Sequence, residues 1–153
     1  MPQPPKILGI IWASPCTAVG LLIGLIAVVS GGGARRMTGF LGFCGGCLPA
    51  VLGRLPFVRG ASALTLGHVV LAQTRGGLER TSGHELVHVR QYERWGVFFV
   101  PAYLLCGLVL LLRGRNPYLD NPFEVEARTE SERALPRCDS LGDDNRRQSG
   151  QND

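Results

Sequence analysis

Residues 81–96 read TSGHELVHVRQYERWG, and the run His84-Glu85-Leu86-Val87-His88 inside them decides how the rest of the chain is read. On a helix, positions i and i+4 share a face one turn apart. Two imidazoles there can reach one tetrahedral ion through ring nitrogens at about 2.0–2.1 Å. Glu85 follows the first histidine and can address a water in an open coordination position. A metal lowers the pKa of such a water towards about 7, and the carboxylate takes its proton as the water attacks a carbonyl. The motif is short, so its surroundings must support it.

Those surroundings point the same way. All three histidines of the chain lie between His68 and His88. Thr81 or Ser82 can cap a helix running to about Trp95, and Ser82 with Glu85 forms a capping-box pair. Upstream, Ala63–Gln73 (ALTLGHVVLAQ) reads as one strand that Gly76-Gly77 closes. Residues 37–60, broken by glycine and proline, fit short strands or a strand and a helical turn. Downstream, Asn121-Pro122 is a helix start, with Asn as cap and Pro at the first helical position. An amphipathic helix follows, from Phe123 to about Leu135. It supplies the acids for a third ligand, Glu124, Glu126 and Glu130, with Asp120 just before it.

Hydrophobic residues make up 45% of the 153, and much of that content sits in two blocks, Ile7–Val29 and Val97–Leu112. Ile7–Val29 carries no charge, lies between Lys6 and Arg35-Arg36, and exceeds the roughly 20 residues that span a bilayer. It is longer than the 7–15 residue apolar core typical of a signal peptide, so an uncleaved anchor is expected. Cys16 follows Pro15, a poor residue before a lipoprotein cleavage site. Gly31-Gly32-Gly33 reads as a flexible exit from the anchor.

The net charge of +4 is unevenly spread: residues 1–119 carry 11 Lys/Arg and 3 Asp/Glu, and residues 120–153 carry 5 and 9. The basic part surrounds the apolar blocks, where arginines suit anionic lipid headgroups. It lacks the interleaved aromatics of a nucleic-acid surface, so no nucleic acid is expected. Five cysteines, two of them inside the apolar blocks, do not make a secreted disulfide scaffold. Cys44-Gly-Gly-Cys47 has no second pair to complete a thiolate zinc site and reads as small residues in a turn. Pro136–Asp153 is polar and is expected to be a disordered tail.

Phe123-Glu124-Val125-Glu126-Ala127-Arg128 resembles the F-E-x-x-A-D glutamate helix of gluzincin metallopeptidases, especially the membrane-integrated HtpX and CAAX prenyl protease families. That pattern implies Glu124 as the zinc ligand beside His84 and His88, with Glu85 as catalytic base. Arg128 stands where those families carry an aspartate that braces a zinc histidine, so the acceptor for the second imidazole nitrogen is not apparent. TLGHVVL (65–71), HELVHVRQYERWG (84–96), Pro101-Ala102-Tyr103 and NPFEVEA (121–127) together resemble a group of short bacterial membrane proteins, minimal gluzincins with one anchor. The expected fold is thus α+β. It has an N-terminal transmembrane helix (7–30, after a tail at 1–6) and a zincin-like metallopeptidase domain (31–135). That domain holds a small strand region, the active-site helix, an apolar helix (97–112) and the glutamate helix.

His68 could line the cleft or stabilise an oxyanion, although a local hydrogen bond is the commoner role of a strand histidine. Tyr103 and Tyr118 are candidate oxyanion donors, and the sequence does not choose between them. Tyr92, at i+4 from His88, is expected to pack below the site; Arg90, Gln91 and Arg94 are expected on the helix surface.

Convergence on one ion requires His88 and Glu124 on the same side of the membrane. Val97–Leu112 measures about 24 Å as a helix, short of a roughly 30 Å hydrocarbon core. It is therefore expected to be re-entrant, interfacial or packed on the anchor. Eight arginines in residues 31–96 favour the cytoplasmic side of a bacterial inner membrane. The implied activity is zinc-dependent hydrolysis of a peptide or membrane-protein substrate. The alternative is a non-catalytic protein in which zinc is structural or regulatory, but structural sites usually close with four ligands and favour cysteine.

Overall fold

A computed structural model describes residues 6–54 and 62–134; the tail expected at 136–153 lies outside the described residues. The chain is mixed α+β. In order it forms α1 (Lys6–Val29), β1 (Gly33–Met37), β2 (Phe40–Cys44), α2 (Leu48–Arg54), β3 (Ala63–Leu66), β4 (Val69–Ala72) and α3 (Arg75–Trp95). A tight turn of helix at Gly96–Phe98 leads into α4 (Phe99–Leu112), and α5 (Pro122–Ala134) follows.

The four strands make one sheet in the order β1-β2-β4-β3. β1 and β2 are antiparallel, as are β3 and β4, while β2 and β4 run parallel. Side chains alternate across the sheet, as period-two geometry demands. On one face Phe43, Val69 and Leu71 pack with Ala27 of α1 and with Leu48 and Leu52 of α2. On the other, Phe40, Ala63, Val70 and Ala72 pack with Leu78 and Val89 of α3. β4 is covered on both sides and buried at all four positions, so it reads as an uninterrupted apolar run.

Five local expectations need correction. Ala63–Gln73 is a hairpin and not one strand: Leu66 pairs with Val69 across Gly67-His68, and Gly67 has φ +62°. A two-residue hairpin loop needs such a φ, which glycine supplies at no steric cost. The helix that carries His84 and His88, α3, begins at Arg75, well before Thr81. Its cap is Thr74, whose hydroxyl accepts the Gly77 N–H at 3.0 Å. Gly76 and Gly77 therefore open the helix rather than close a strand. Thr81 and Ser82 turn their hydroxyls back to the carbonyls of Gly77 and Glu79, and the Ser82–Glu85 capping box does not form. Gly33, expected in a flexible exit, is already the first residue of β1.

α3 ends where Gly96 takes φ +57°, a conformation that both breaks the helix and leaves room for Trp12, whose ring a Cβ there would strike. α4 then carries exposed Leu104, Leu105, Leu108, Leu111 and Leu112. The chain doubles back along it: Arg115 N–H donates to the Leu110 carbonyl, and Asn121 Nδ2 donates to the Tyr103 carbonyl. α5 starts as the Asn-Pro pair predicts, with the Asn121 side chain accepting the Phe123 N–H at 3.2 Å. Gly9–Val29 and the helical stretch Arg75–Leu112 are both long and apolar enough to cross a membrane, by length and composition.

Candidate metal centre

α3 packs against α5, and the contact brings His84, His88 and Glu124 together, each offering a ligand atom within 4.8 Å of the others. His84 Nε2 lies 3.1 Å from His88 Nε2 and 3.2 Å from Glu124 Oε2; His88 Nε2 lies 3.4 Å from Glu124 Oε1. A tetrahedral ion with bonds of about 2.0–2.1 Å separates its ligand atoms by about 3.3–3.4 Å. The two imidazoles face different oxygens of Glu124 at separations near that value, and the cluster could hold a metal ion. Glu126 and Glu130 take other partners: Glu126 meets Gln91 and Arg94, and Glu130 faces Arg90 at 3.9 Å.

The electrostatics fit a metal ligand set. Glu124 is 4% exposed. Burial alone would push its carboxyl up, but hydrogen bonds from His84, His88 and Tyr103, with the nearby His88 charge, hold it well below the usual carboxylate range. Burial opposes charge on His88, yet the Glu124 hydrogen bond and the Glu85 and Glu124 carboxylates outweigh it and raise the imidazole's pKa.

The brace that the Arg128 position does not supply comes from Gln91. Expected on the surface, this residue is 1% exposed, and its Oε1 lies 2.8 Å from His88 Nδ1. Its Nε2 donates to the Phe123 carbonyl at 3.0 Å and to Glu126 Oε2 at 2.8 Å. Both of those atoms are acceptors, which fixes the orientation of the amide; Oε1 must then accept, so His88 carries its proton on Nδ1. In the neutral imidazole this leaves the lone pair on Nε2, facing the cluster, which is the tautomer a metal needs. Arg128 instead donates to the Leu119 carbonyl. Only the spacing hinted at Gln91: it sits at i+3 from His88, on the same helix face.

Glu85, 5% exposed, is not engaged with a helix cap. Its Oε2 accepts the Thr65 hydroxyl of β3 at 2.6 Å. Thr65 is in turn held where Tyr92 Oη donates to its carbonyl at 3.2 Å. Tyr92 packs on Phe99, with ring centres 4.4 Å apart, and so lies beneath the site as expected. A cavity of about 150 Å³ opens onto the cluster, bordered by Glu85, Leu64, Val100, Leu104 and Tyr118 among others. That volume suits a single large side chain.

The two tyrosines differ. Tyr103 donates to Glu124 Oε1 at 2.9 Å and so steadies that carboxylate. Tyr118, 41% exposed, borders the cavity, and burial together with the Glu124 and Glu85 charges and a weaker hydrogen bond to Glu124 pushes its hydroxyl up to about 12. His68 is not part of this site. In the β3–β4 turn its Nε2 meets Glu93 at 3.2 Å and its N–H donates to Thr17, and it borders a separate cavity with Arg36 and Leu41. Cys44 and Cys47 are both free thiols. Comparisons with family models, curated proteins and solved structures give no match, so the reading of this centre rests on its own geometry.

Proposed function

We propose that the chain is a membrane-attached, zinc-dependent peptidase. The observation that carries this reading is the convergence of His84, His88 and Glu124, whose ligand atoms lie within 4.8 Å of one another, beside a second buried carboxylate, Glu85, that borders the same cavity. Two imidazoles and one carboxylate are the ligand set of catalytic zinc sites that keep a fourth position open. When bound, zinc acidifies a water and polarises a carbonyl.

The chain's own groups do the rest. Glu85 takes the proton from the attacking water and delivers it to the leaving amine. Thr65 holds one carboxylate oxygen during this exchange. Tyr118, more exposed than Tyr103 at the cavity, is the hydroxyl that meets the substrate's carbonyl oxygen. Gln91 keeps the His88 tautomer. The apolar walls formed by Leu64, Val100 and Leu104 suit a hydrophobic side chain of a peptide or membrane protein.

The proposed location is a bacterial inner membrane, with the site facing the cytoplasm, since the arginines of residues 31–96 all share the segment that carries the histidines. Bound zinc and peptide cleavage in the wild type, Glu85→Gln and Glu124→Ala test the reading. Cleavage lost with zinc retained in Glu85→Gln is expected. Zinc bound equally by all three without cleavage would favour a structural or regulatory metal site.

A further inference from the structure

A folded body lies along nearly the whole of α1. An added Cβ on Gly9 would come 3.0 Å from the Cβ of Glu93. Ala13 is buried with Tyr92 and Phe99. Thr17 accepts the His68 N–H, Gly20 abuts Leu66 and Val69, and Gly24 abuts the ring of Phe43. Ala27 belongs to the core beneath the sheet. These small residues recur every three or four positions, so they share one side of the helix. The opposite side presents Ile11, Val19, Leu22, Leu25, Ile26 and Val29, each 53–82% exposed.

Gly9 to Ala27 is about 27 Å of helix, against a hydrocarbon core of about 30 Å. If α1 crossed a bilayer upright, the sheet and α3 would enter the hydrocarbon beside it. The middle of the helix makes this worst. Thr17 and Leu21 share a cavity with Arg36 and His68, and Arg36 is exposed. β1, an edge strand exposed at four of its five residues, would also face lipid. Charged side chains at the bilayer centre are costly and lipid-exposed sheet edges do not occur.

We infer that α1 lies in the plane of the membrane, its large-residue face sunk into one leaflet and its small-residue face carrying the folded domain. Trp12 and Phe98, ring centres 6.1 Å apart and both about half exposed, join this face to the start of α4 and its exposed leucines. Exposed Arg113 and Arg115 at the far end of α4 then meet headgroups. In this arrangement His88 and Glu124 share one side of the membrane without any crossing between them. The inference stands on packing alone and is independent of the metal's role.

Nitroxide depth measurements decide it. Single cysteines at Ile11, Val19, Ile26 and Val29, in a full-length chain whose native cysteines are alanine, are spin-labelled. The protein is reconstituted in phosphatidylethanolamine–phosphatidylglycerol vesicles. All four labels are expected at one shallow depth within a single leaflet. A profile in which Val19 lies about 12 Å deeper than Ile11 would mean a crossing and overturn the proposal. Labels that meet water or protein in place of lipid would overturn it too, and would assign the face to a second copy or another protein.

Discussion

Glu85 and Glu124 are the same side chain, nearly equally buried, on two facing helices and bordering one cavity, yet they sit in different company. Glu124 faces both imidazoles and the Tyr103 hydroxyl, partners that favour its ionised form at a fixed place. Glu85, among the described residues, accepts a hydrogen bond from Thr65, on the strand across the cavity. On the proposed reading, these surroundings would assign each carboxylate its role. Crowded donors and cations make a ligand, and a lightly held carboxylate beside them makes a proton carrier.

Changes at the two carboxylates should therefore separate cleanly. Glu124→Ala removes one of three ligands, and zinc affinity is expected to fall well beyond the roughly 10–100-fold typical of second-layer partners, taking cleavage with it; isothermal titration with zinc measures this. Glu85→Gln should keep the metal and lose about 10²–10⁴-fold in kcat. If zinc were lost instead, the division of labour would collapse. Tyr118→Phe is expected to cost about 10²–10³-fold in kcat, as for a donor to a developing oxyanion, with KM little changed, whereas Tyr103→Phe should act mainly on zinc affinity.

Gln91→Leu should weaken zinc binding by roughly 10–100-fold, because the tautomer of His88 is no longer fixed; Glu126→Gln should do less. The smallest effect is the pH dependence of metal binding. Because the pKa of His88 is raised, a proton competes with zinc for that imidazole up to a higher pH than for a free histidine. Affinity should be full above that raised pKa and fall about tenfold per pH unit below it, while Glu124, with its lowered pKa, stays ionised through the same window. The same sign governs the stability of the metal-free protein. The contribution of His88 is present below its unfolded pKa and is lost as pH rises through the folded one.

Much of the centre was legible because its logic is local. The i,i+4 spacing of His84 and His88 and the Asn121-Pro122 start are backbone rules that survive tertiary folding. The residues that reach the centre from elsewhere were not. Thr65 contributes because period-two alternation turns it toward α3, and that follows only once Gly67 breaks the segment into a hairpin. Gln91 looked like any polar residue on a helix rich in charge; the approach of Phe123 and Glu126 from α5 buries it. Gly76-Gly77 misled for a similar reason. Glycine is a poor helix former, and the Thr74 cap with tertiary packing of Leu78 overrides that preference.

X-ray absorption at the zinc edge on the metal-loaded, full-length protein tests the central claim most directly. The account predicts two imidazoles and oxygen ligands, with bonds of about 2.0–2.2 Å and no sulfur. A sulfur shell near 2.3 Å, which would bring in Cys44 or Cys47, or a site without two imidazoles, would contradict it.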